Sequence, residues 1–419
     1  MGSTVIVIPH GEGVAIEKKK FHVSLIPLIS YLWRKKSNRD MRKLIHSIKV
    51  GIALVLVSPL YLLDPLYKKV GENAVWAVMT VVVIFEFYAG ATLSKGLNRG
   101  IGTILGGGLG CLAAAIAQKV GGIGNTIIVG ISVFIFGAAA TYSRLVPRVK
   151  RRYDYGAMIF ILTFNLIVVS GLRAEKVMEV ARERLSTIVM GFIVCILTSL
   201  FVFPIWAGDE FHDSTASKFE SLARSVEGCM EECFNRVGDK QNQPSDNFNG
   251  CKLVVHSKAK DETLVNFAKW EPWHGKFGLS YHWEKYLKIG EVLRDLAAII
   301  ISLQACLQSP IESSETLLQS IKEPCEAIGS SLAWTLRALG ESLKKMRKCQ
   351  SENVIAPRLK SMRLQLSLVR TSSALGQVEN AEGLAIASFI FLLMEMVNKV
   401  EDLAKEMEEL GELAGFHAK

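Results

Sequence analysis

The sequence predicts an all-α membrane protein, six transmembrane helices followed by a cytosolic helical bundle. Three observations lead there. Six apolar segments approaching or meeting span length crowd the first half, at 44–63, 74–91, 100–118, 120–142, 155–172 and 185–207. Charge is divided unequally: residues 1–206 hold 24 Lys/Arg against 10 Asp/Glu, while residues 207–419 hold 25 against 30. The second half keeps helical amphipathic spacing and shows no strand alternation. With half of 419 residues apolar and 21% charged, one lipid-embedded part and one water-exposed part fit the composition, and the length exceeds one ordinary soluble domain.

A lipid-crossing helix needs about 20 mainly apolar residues. The first segment is interrupted by Lys49 and Pro59 and follows a basic arm with Arg34, Lys35, Lys36, Arg39, Arg42 and Lys43. The second contains Glu86. Along the third, Gly102, Gly106 and Gly110 recur every four residues, a spacing that lets helix backbones approach closely. A phosphate-cradling loop is excluded there, because no strand precedes the glycines and no Lys-Ser/Thr pair closes them. Arg144, Arg148, Lys150, Arg151 and Arg152 join the fourth segment to the fifth, and Arg182 and Arg184 open the sixth. The short links predict up-and-down neighbours in a bundle.

Positive charge in short loops stays in the cytosol. That places the arm and the 144–152 link inside, together with the link carrying Lys95 and Arg99. Six spans then bring the second half to the same side, so both termini are expected in the cytosol. The opposite face holds Lys68, Lys69 and Lys119, plus a stretch where Glu175, Glu179 and Glu183 balance the bases. No secretory signal is expected, since Lys18, Lys19 and Lys20 precede any long apolar run.

In the second half, the apolar runs 296–307 and 384–394 are too short to cross lipid and read as buried core helices. A polar loop is expected at 238–250, with Pro272, Pro310, Pro324 and Pro357 as breaks or first-turn positions. Trp270, Trp273 and Trp283, with Pro272, are expected to anchor a buried corner. The eight cysteines suggest no metal site: Cys229 and Cys233 share a helix face but lack further ligands, and His212 and His256 are not convincing ones. No cofactor is implied. No basic stripe with interleaved aromatics indicates nucleic acid. No Ser/His/Asp, Cys/His or paired-carboxylate arrangement at a helix end or span mouth indicates an enzyme.

The informative residues are charges in or beside the spans. A Lys or Arg at a helix centre costs roughly 2.5–3.5 kcal/mol on insertion scales, so it usually faces a wet cavity or a partner. Lys49 lies about a turn inside the first segment, and Lys95 and Arg99 are four apart on one face of any helix continuing into the third. Each alone is also explained by snorkelling to headgroups. As a set they favour a shared wet cavity, because Arg and Lys replace the water shell of a carboxylate in an anion pore. Glu86 reads as a structural ion pair with Lys95 or Arg99; a proton-coupling acid is the sharper alternative. Trp76 and Phe85, on the second apolar segment, are candidate gate residues whose rings would exclude water, with simple helix packing as the other reading.

Four stretches together resemble the plant aluminium-activated malate transporter family: WAVMTVVVIFEFYAGATLSKGLNRGIG at 76–102, YDYGAMIFILTFNLIVVSG at 153–171, RLSTIVMGFIVCILTSLFVFPIWAGD at 184–209 and WEPWHG at 270–275. The resemblance implies a homodimeric anion channel. It also implies that Arg99 of the GLNR element, Arg184 of the RLST element and Lys49 of the KVG stretch face the permeation path. The expected organisation is a basic cytosolic N-terminal arm over 1–43, a six-helix transmembrane anion-pore domain over 44–207 and a cytosolic helical domain over 208–419. The expected function is a gated anion channel conducting malate and inorganic anions across a plant membrane, the plasma membrane preferred over the vacuolar membrane. Expected partners are malate and other anions, the lipid bilayer and a second copy of the chain. The alternative is a coupled exporter of organic or aromatic acids, although no clear internal repeat runs across the six segments. A membrane-anchored scaffold would leave Lys49, Arg99 and Arg184 without a role.

Overall fold

In the computed structural model the described residues are 38–63, 74–171, 177–235, 249–275, 277–278, 281–308, 315–348, 354–371 and 381–416. Most of the 1–43 arm, the 64–73 and 172–176 links, most of the 238–250 loop and Pro310 therefore lie outside them. The chain divides into two units, Met1–Ile48 and Lys49–Lys419. The first is described over 38–48, the opening turns of helix α1 (Asn38–Val57), where Lys43 pairs with Asp40 at 3.6 Å and Ser47 donates to the Lys43 carbonyl.

In the second unit, α1 stops before Pro59, which has no N–H to continue the ladder and opens the short α2 (Pro59–Leu62). The Ser58 hydroxyl closes the gap on the Leu54 carbonyl at 2.8 Å. Then follow α3 (Ala74–Ile84), α4 (Ala89–Val120), α5 (Gly122–Leu145), α6 (Pro147–Arg152), α7 (Asp154–Gly171) and α8 (Val177–Phe201). The segment read as continuous over 74–91 is broken after Ile84, and the next helix begins at Ala89 rather than near residue 100. Side-chain and tertiary partners take over the ladder there. The Glu86 N–H donates to the Thr92 hydroxyl at 3.0 Å, and the Ala89 N–H donates to the Ile205 carbonyl at 3.0 Å. Between α4 and α5 the turn uses Gly121 and Gly122 at φ of 67° and 54°, a region L side chains rarely enter.

α4 and α5 are each long and apolar enough to cross a bilayer, while the apolar windows Ala74–Ile84, Asp154–Val169 and Leu185–Phe201 are shorter. On α5 only Val129 and Ala140 are buried, and Ile123 and Phe134 stand 83% and 76% exposed. A patch that large on a water-exposed helix would drive aggregation, so this surface calls for an apolar solvent. α4 packs along α7 on its glycine stripe. A Cβ on Gly106 would come 2.7 Å from the Phe160 carbonyl oxygen and one on Gly110 3.2 Å from Ile167, while one on Gly102 would collide with the Gly156 carbonyl.

The remaining helices, α9 (Ala207–Asn235), α10 (Asn249–Val255), α11 (Lys258–Ala268), α12 (Trp283–Gln308), α13 (Glu315–Lys345), α14 (Ala356–Thr371) and α15 (Ala381–Leu413), surround one apolar core. Leu296, Ile300 and Leu303 of the run at 296–307 are buried in it, as are Phe389, Ile390 and Leu393 of the run at 384–394. Among the described residues no strand forms, and one isolated bridge joins His274 to Phe277. Pro357 sits in the first turn of α14, but Pro324 lies inside α13 without ending it. Core burial of Cys325, Ile328 and Leu332 on the following turns offsets the lost ladder bond.

The tryptophan corner is only partly as expected. Trp283 is buried, whereas Trp273 is 75% exposed, because the corner is held by its acid rather than by three rings. Buried Glu271 accepts the Ala207 and Gly208 N–H groups at 2.6 and 3.0 Å and so caps α9. Burial raises its carboxyl pKa, and the two amide bonds pull the other way. A second buried acid, Asp261 on α11, receives Lys218 at 2.5 Å, Ser257 at 3.0 Å and Arg294 at 3.3 Å. Burial lowers the Lys218 ammonium pKa, and Asp261 partly offsets that.

Two outcomes test this packing. Asp261→Ala leaves Lys218 buried without its counter-charge and should cost about 3 kcal/mol, read as a fall in the melting temperature of the purified protein. Gly106→Val should prevent α4 and α7 from closing and cost roughly 1–3 kcal/mol, whereas Gly108→Ala, whose added Cβ meets nothing within 4 Å, should be close to neutral in the same measurement.

Candidate functional site

Between α3, α4, α7 and α8 lies a cavity of about 380 Å³. Arg99, Thr103, Gly107 and Cys111 recur every four residues on one face of α4, so the wall they form runs about 18 Å at ~1.5 Å per residue. Ile159, Leu162, Thr163, Leu166 and Ile167 of α7 face them. Arg182, Leu185 and Ile188 of α8, with Trp76 of α3, complete the lining. The wall is mainly aliphatic, with two guanidinium groups and two threonine hydroxyls. It carries no carboxylate or imidazole, so its chemistry suits an anion and not a metal ion.

Arg99 is 5% exposed, an expensive place for a charge. Its Nη1 donates to the Tyr155 hydroxyl at 3.2 Å, and its buried Nε has no hydrogen-bond partner. A buried, under-bonded guanidinium at a cavity wall is a donor fork ready for an oxyanion. Lys95, one turn earlier on α4, pairs with Glu86 and lies 6.0 Å from the centroid of the same Tyr155 ring. The two side chains of the Lys95–Glu86 pair are 40% and 34% exposed, so solvent weakens it. Tyr155 thus joins Lys95 and Arg99 of α4, and the Glu86 pairing is with Lys95.

The other sequence candidates are distributed differently. Lys49 is fully buried but is not among the cavity-lining residues. Its Nζ donates to the Ser199 carbonyl at 3.2 Å and the Phe203 carbonyl at 3.5 Å, at the negative end of the α8 dipole. Trp76 lines the cavity. Phe85 packs in an apolar cluster with Ala53, Val57, Ala77 and Val81, away from that lining. Arg184 is on α8, with its side chain outside the described residues. Arg182, two positions earlier, is the lining residue that the charge reading singled out only as opening the sixth segment. Its signal was periodic: Arg182, Leu185 and Ile188 recur every three residues, which puts them on one helix face.

A family model described as "Aluminium activated malate transporter" matches residues 35–371. Aluminum-activated malate transporter 14 of Arabidopsis thaliana is 45% identical over 295 residues, which cover 69% of this chain and 54% of the relative. Aluminum-activated malate transporter 2 of the same plant is 39% identical over 390 residues, covering 92% and 78%. Aluminum-activated malate transporter 1 of Triticum aestivum is 40% identical over 292 residues, covering 67% and 61%. The chain spans about half the length of the Arabidopsis relatives numbered 12 and 14.

The exposure of the Lys95–Glu86 pair decides its energetic role. A double-mutant cycle on Glu86→Gln and Lys95→Gln should return a coupling below about 1 kcal/mol in melting experiments on the purified protein. A coupling of about 3 kcal/mol would make the pair a structural clamp.

Proposed function

The chain belongs to the aluminium-activated malate transporter family, and we propose that it acts as a gated anion channel passing malate and inorganic anions across a plant membrane. One observation carries the reading: Arg99 is buried on a cavity wall, with its Nε unpartnered and no carboxylate in the lining. In a folded protein such a charge is retained where an anion visits it, because an orphaned buried donor otherwise costs about 1–3 kcal/mol. Malate carries two carboxylates that must shed water in a narrow path, and guanidinium forks replace that water.

In this reading Arg99, with Lys95 and Arg184, supplies the charge of the path. Lys49 contributes field from its buried position beneath the α8 carbonyls. The long aliphatic stretch between the polar points of the cavity is the gate, since apolar walls exclude water and ions until they move apart. Trp76 is the ring best situated to narrow it. The membrane domain is 44–207, with six crossings contributed by α1, α3, α4, α5, α7 and α8. The 1–43 arm and the 208–419 helices lie in the cytosol. Positive-inside counting supports this orientation, because the bases of α6 and of the arm fall on one side. The working unit is a homodimer, and the plasma membrane is the proposed host.

Voltage clamp of the expressed channel tests the reading. Arg99→Gln should lower malate current about tenfold more than it lowers protein at the surface, and Arg99→Glu should lower it further. Lys119→Gln, at the end of α4 and outside the cavity lining, should be indifferent. Full malate current from a well-expressed Arg99→Glu channel would remove Arg99 from the path.

A further inference from the structure

A second cavity, of about 420 Å³, opens where α6, the α11 end and the second turn of α4 meet. Its lining includes Arg148, Arg152, Lys269, Ser94, Asn266 and Trp270. No carboxylate is among the lining residues. Three acids near these residues are paired: Asp154 with Arg144 at 2.7 Å, Glu271 with the amides that open α9, and Glu284 with the lining residue Lys269 at 3.2 Å, which leaves the two arginines as the cavity's cations without a counter-charge. Among the described residues, Arg148 and Arg152 have no acid partner.

Arg152 is also held in place. Its guanidinium lies 5.2 Å from the centroid of the Trp270 ring, and its backbone carbonyl accepts the Asn98 side-chain amide at 3.0 Å. Contact with the Trp270 ring, and with that of Tyr153 at 5.6 Å, restrains the guanidinium without using its N–H donors, which lowers the entropy lost on binding an anion. Two unpaired guanidinium groups, a hydroxyl, an amide and an aromatic floor in a pocket of this size are recognition chemistry for a phosphate ester. The position selects further. Only Val146 separates Pro147 and Arg148 from Leu145, the last residue of the lipid-suited α5, so the cavity lies where apolar surface ends.

We propose that this cavity is a second anion site, which takes a multiply phosphorylated headgroup between Arg148 and Arg152 over Trp270. The headgroup depth rests on the topology proposed above; the chemistry of the site does not. Its ligand comes from a phosphoinositide of the membrane or from a free inositol phosphate, which present the same phosphates. Ser94, the α4 residue in the lining, is next to Lys95 and about a turn before Arg99, so an occupant abuts the helix that lines the proposed path.

Binding to the full chain in phosphatidylcholine nanodiscs tests this without any measurement of current. The probes are phosphatidylinositol bisphosphate mixed into the disc, soluble inositol trisphosphate, inorganic phosphate and malate, each read as a shift in melting temperature and as an affinity. The wild-type protein should bind the lipid, the soluble headgroup or both, and far more tightly than malate or inorganic phosphate. Binding by the lipid alone assigns the source to the membrane, and binding by the soluble headgroup alone assigns it to the cytosol. Arg148→Gln and Arg152→Gln should each weaken binding on the order of tenfold, with Arg152→Lys between the two extremes. Variants are compared only where the ligand-free melting temperature matches wild type. Lys150→Gln changes a base of the same short helix that does not line the cavity, and should leave affinity unchanged. Three results would each overturn the proposal: no binding of either inositol ligand, equal binding of malate, or equal weakening by Lys150→Gln and Arg152→Gln. The last would mean diffuse attraction by a basic segment rather than a site.

Discussion

The close approach of α4 to α7 is the constraint on which the rest of the membrane-suited part depends. Backbones can approach this closely only where one side lacks a Cβ at the point of contact, and Gly102 and Gly106 of α4 and Gly156 of α7 supply that. Contact this close fixes the rotation of α4. Rotation in turn decides that Arg99 meets Tyr155 and the cavity instead of the lipid-suited surface. The same stripe places Asn98 beside the start of α7, where it holds the Arg152 carbonyl and so the wall of the second cavity. A small-residue pattern therefore sets where Arg99 and Asn98 stand relative to the two cavities.

Two buried cations differ in the partners that surround them. Lys49 is deeper than Arg99, yet it is served by the carbonyls that the end of α8 leaves without intrahelical partners. It satisfies a helix terminus and is satisfied by it. Arg99 has one hydroxyl for five N–H donors, and one of its buried nitrogens has none. By charge and position in the sequence the two residues looked alike. Their difference lies in what surrounds them, and an adjacent apolar run cannot report that.

The same limit explains what was legible. The two apolar runs of the second half were correctly read as core because length alone excludes a lipid crossing, and length is a local property. The glycine stripe was legible for the same reason. The break at 85–88 was not, because the sequence there stays apolar apart from Glu86, and the ladder is diverted by Thr92 and by Ile205, more than a hundred residues away. Phe85 and Trp76 could not be told apart on periodicity, since one follows the end of α3 and the other lies near its start. Trp273 was grouped with its neighbours as a buried anchor when the acid between them, Glu271, does the holding.

That acid also shows how the two halves are joined. Glu271 closes the first turn of α9 through two amides, and Gly90, at the start of α4, leaves room only for the Phe267 carbonyl and the Glu271 side chain. His274 stacks on Trp206 at 4.0 Å between ring centroids, immediately before α9, with its Nδ1 on the Pro272 carbonyl at 2.8 Å. The end of α8, the start of α9 and the start of α4 thus meet on one rigid corner of the helical part. Packed interfaces of this kind shift between discrete arrangements more readily than they bend. Glu271 and the Phe267 carbonyl meet α4 in its first turn, one turn before Lys95 and two before Arg99. The residues that hold the corner closed thus also join the helical part to the helix that lines the cavity.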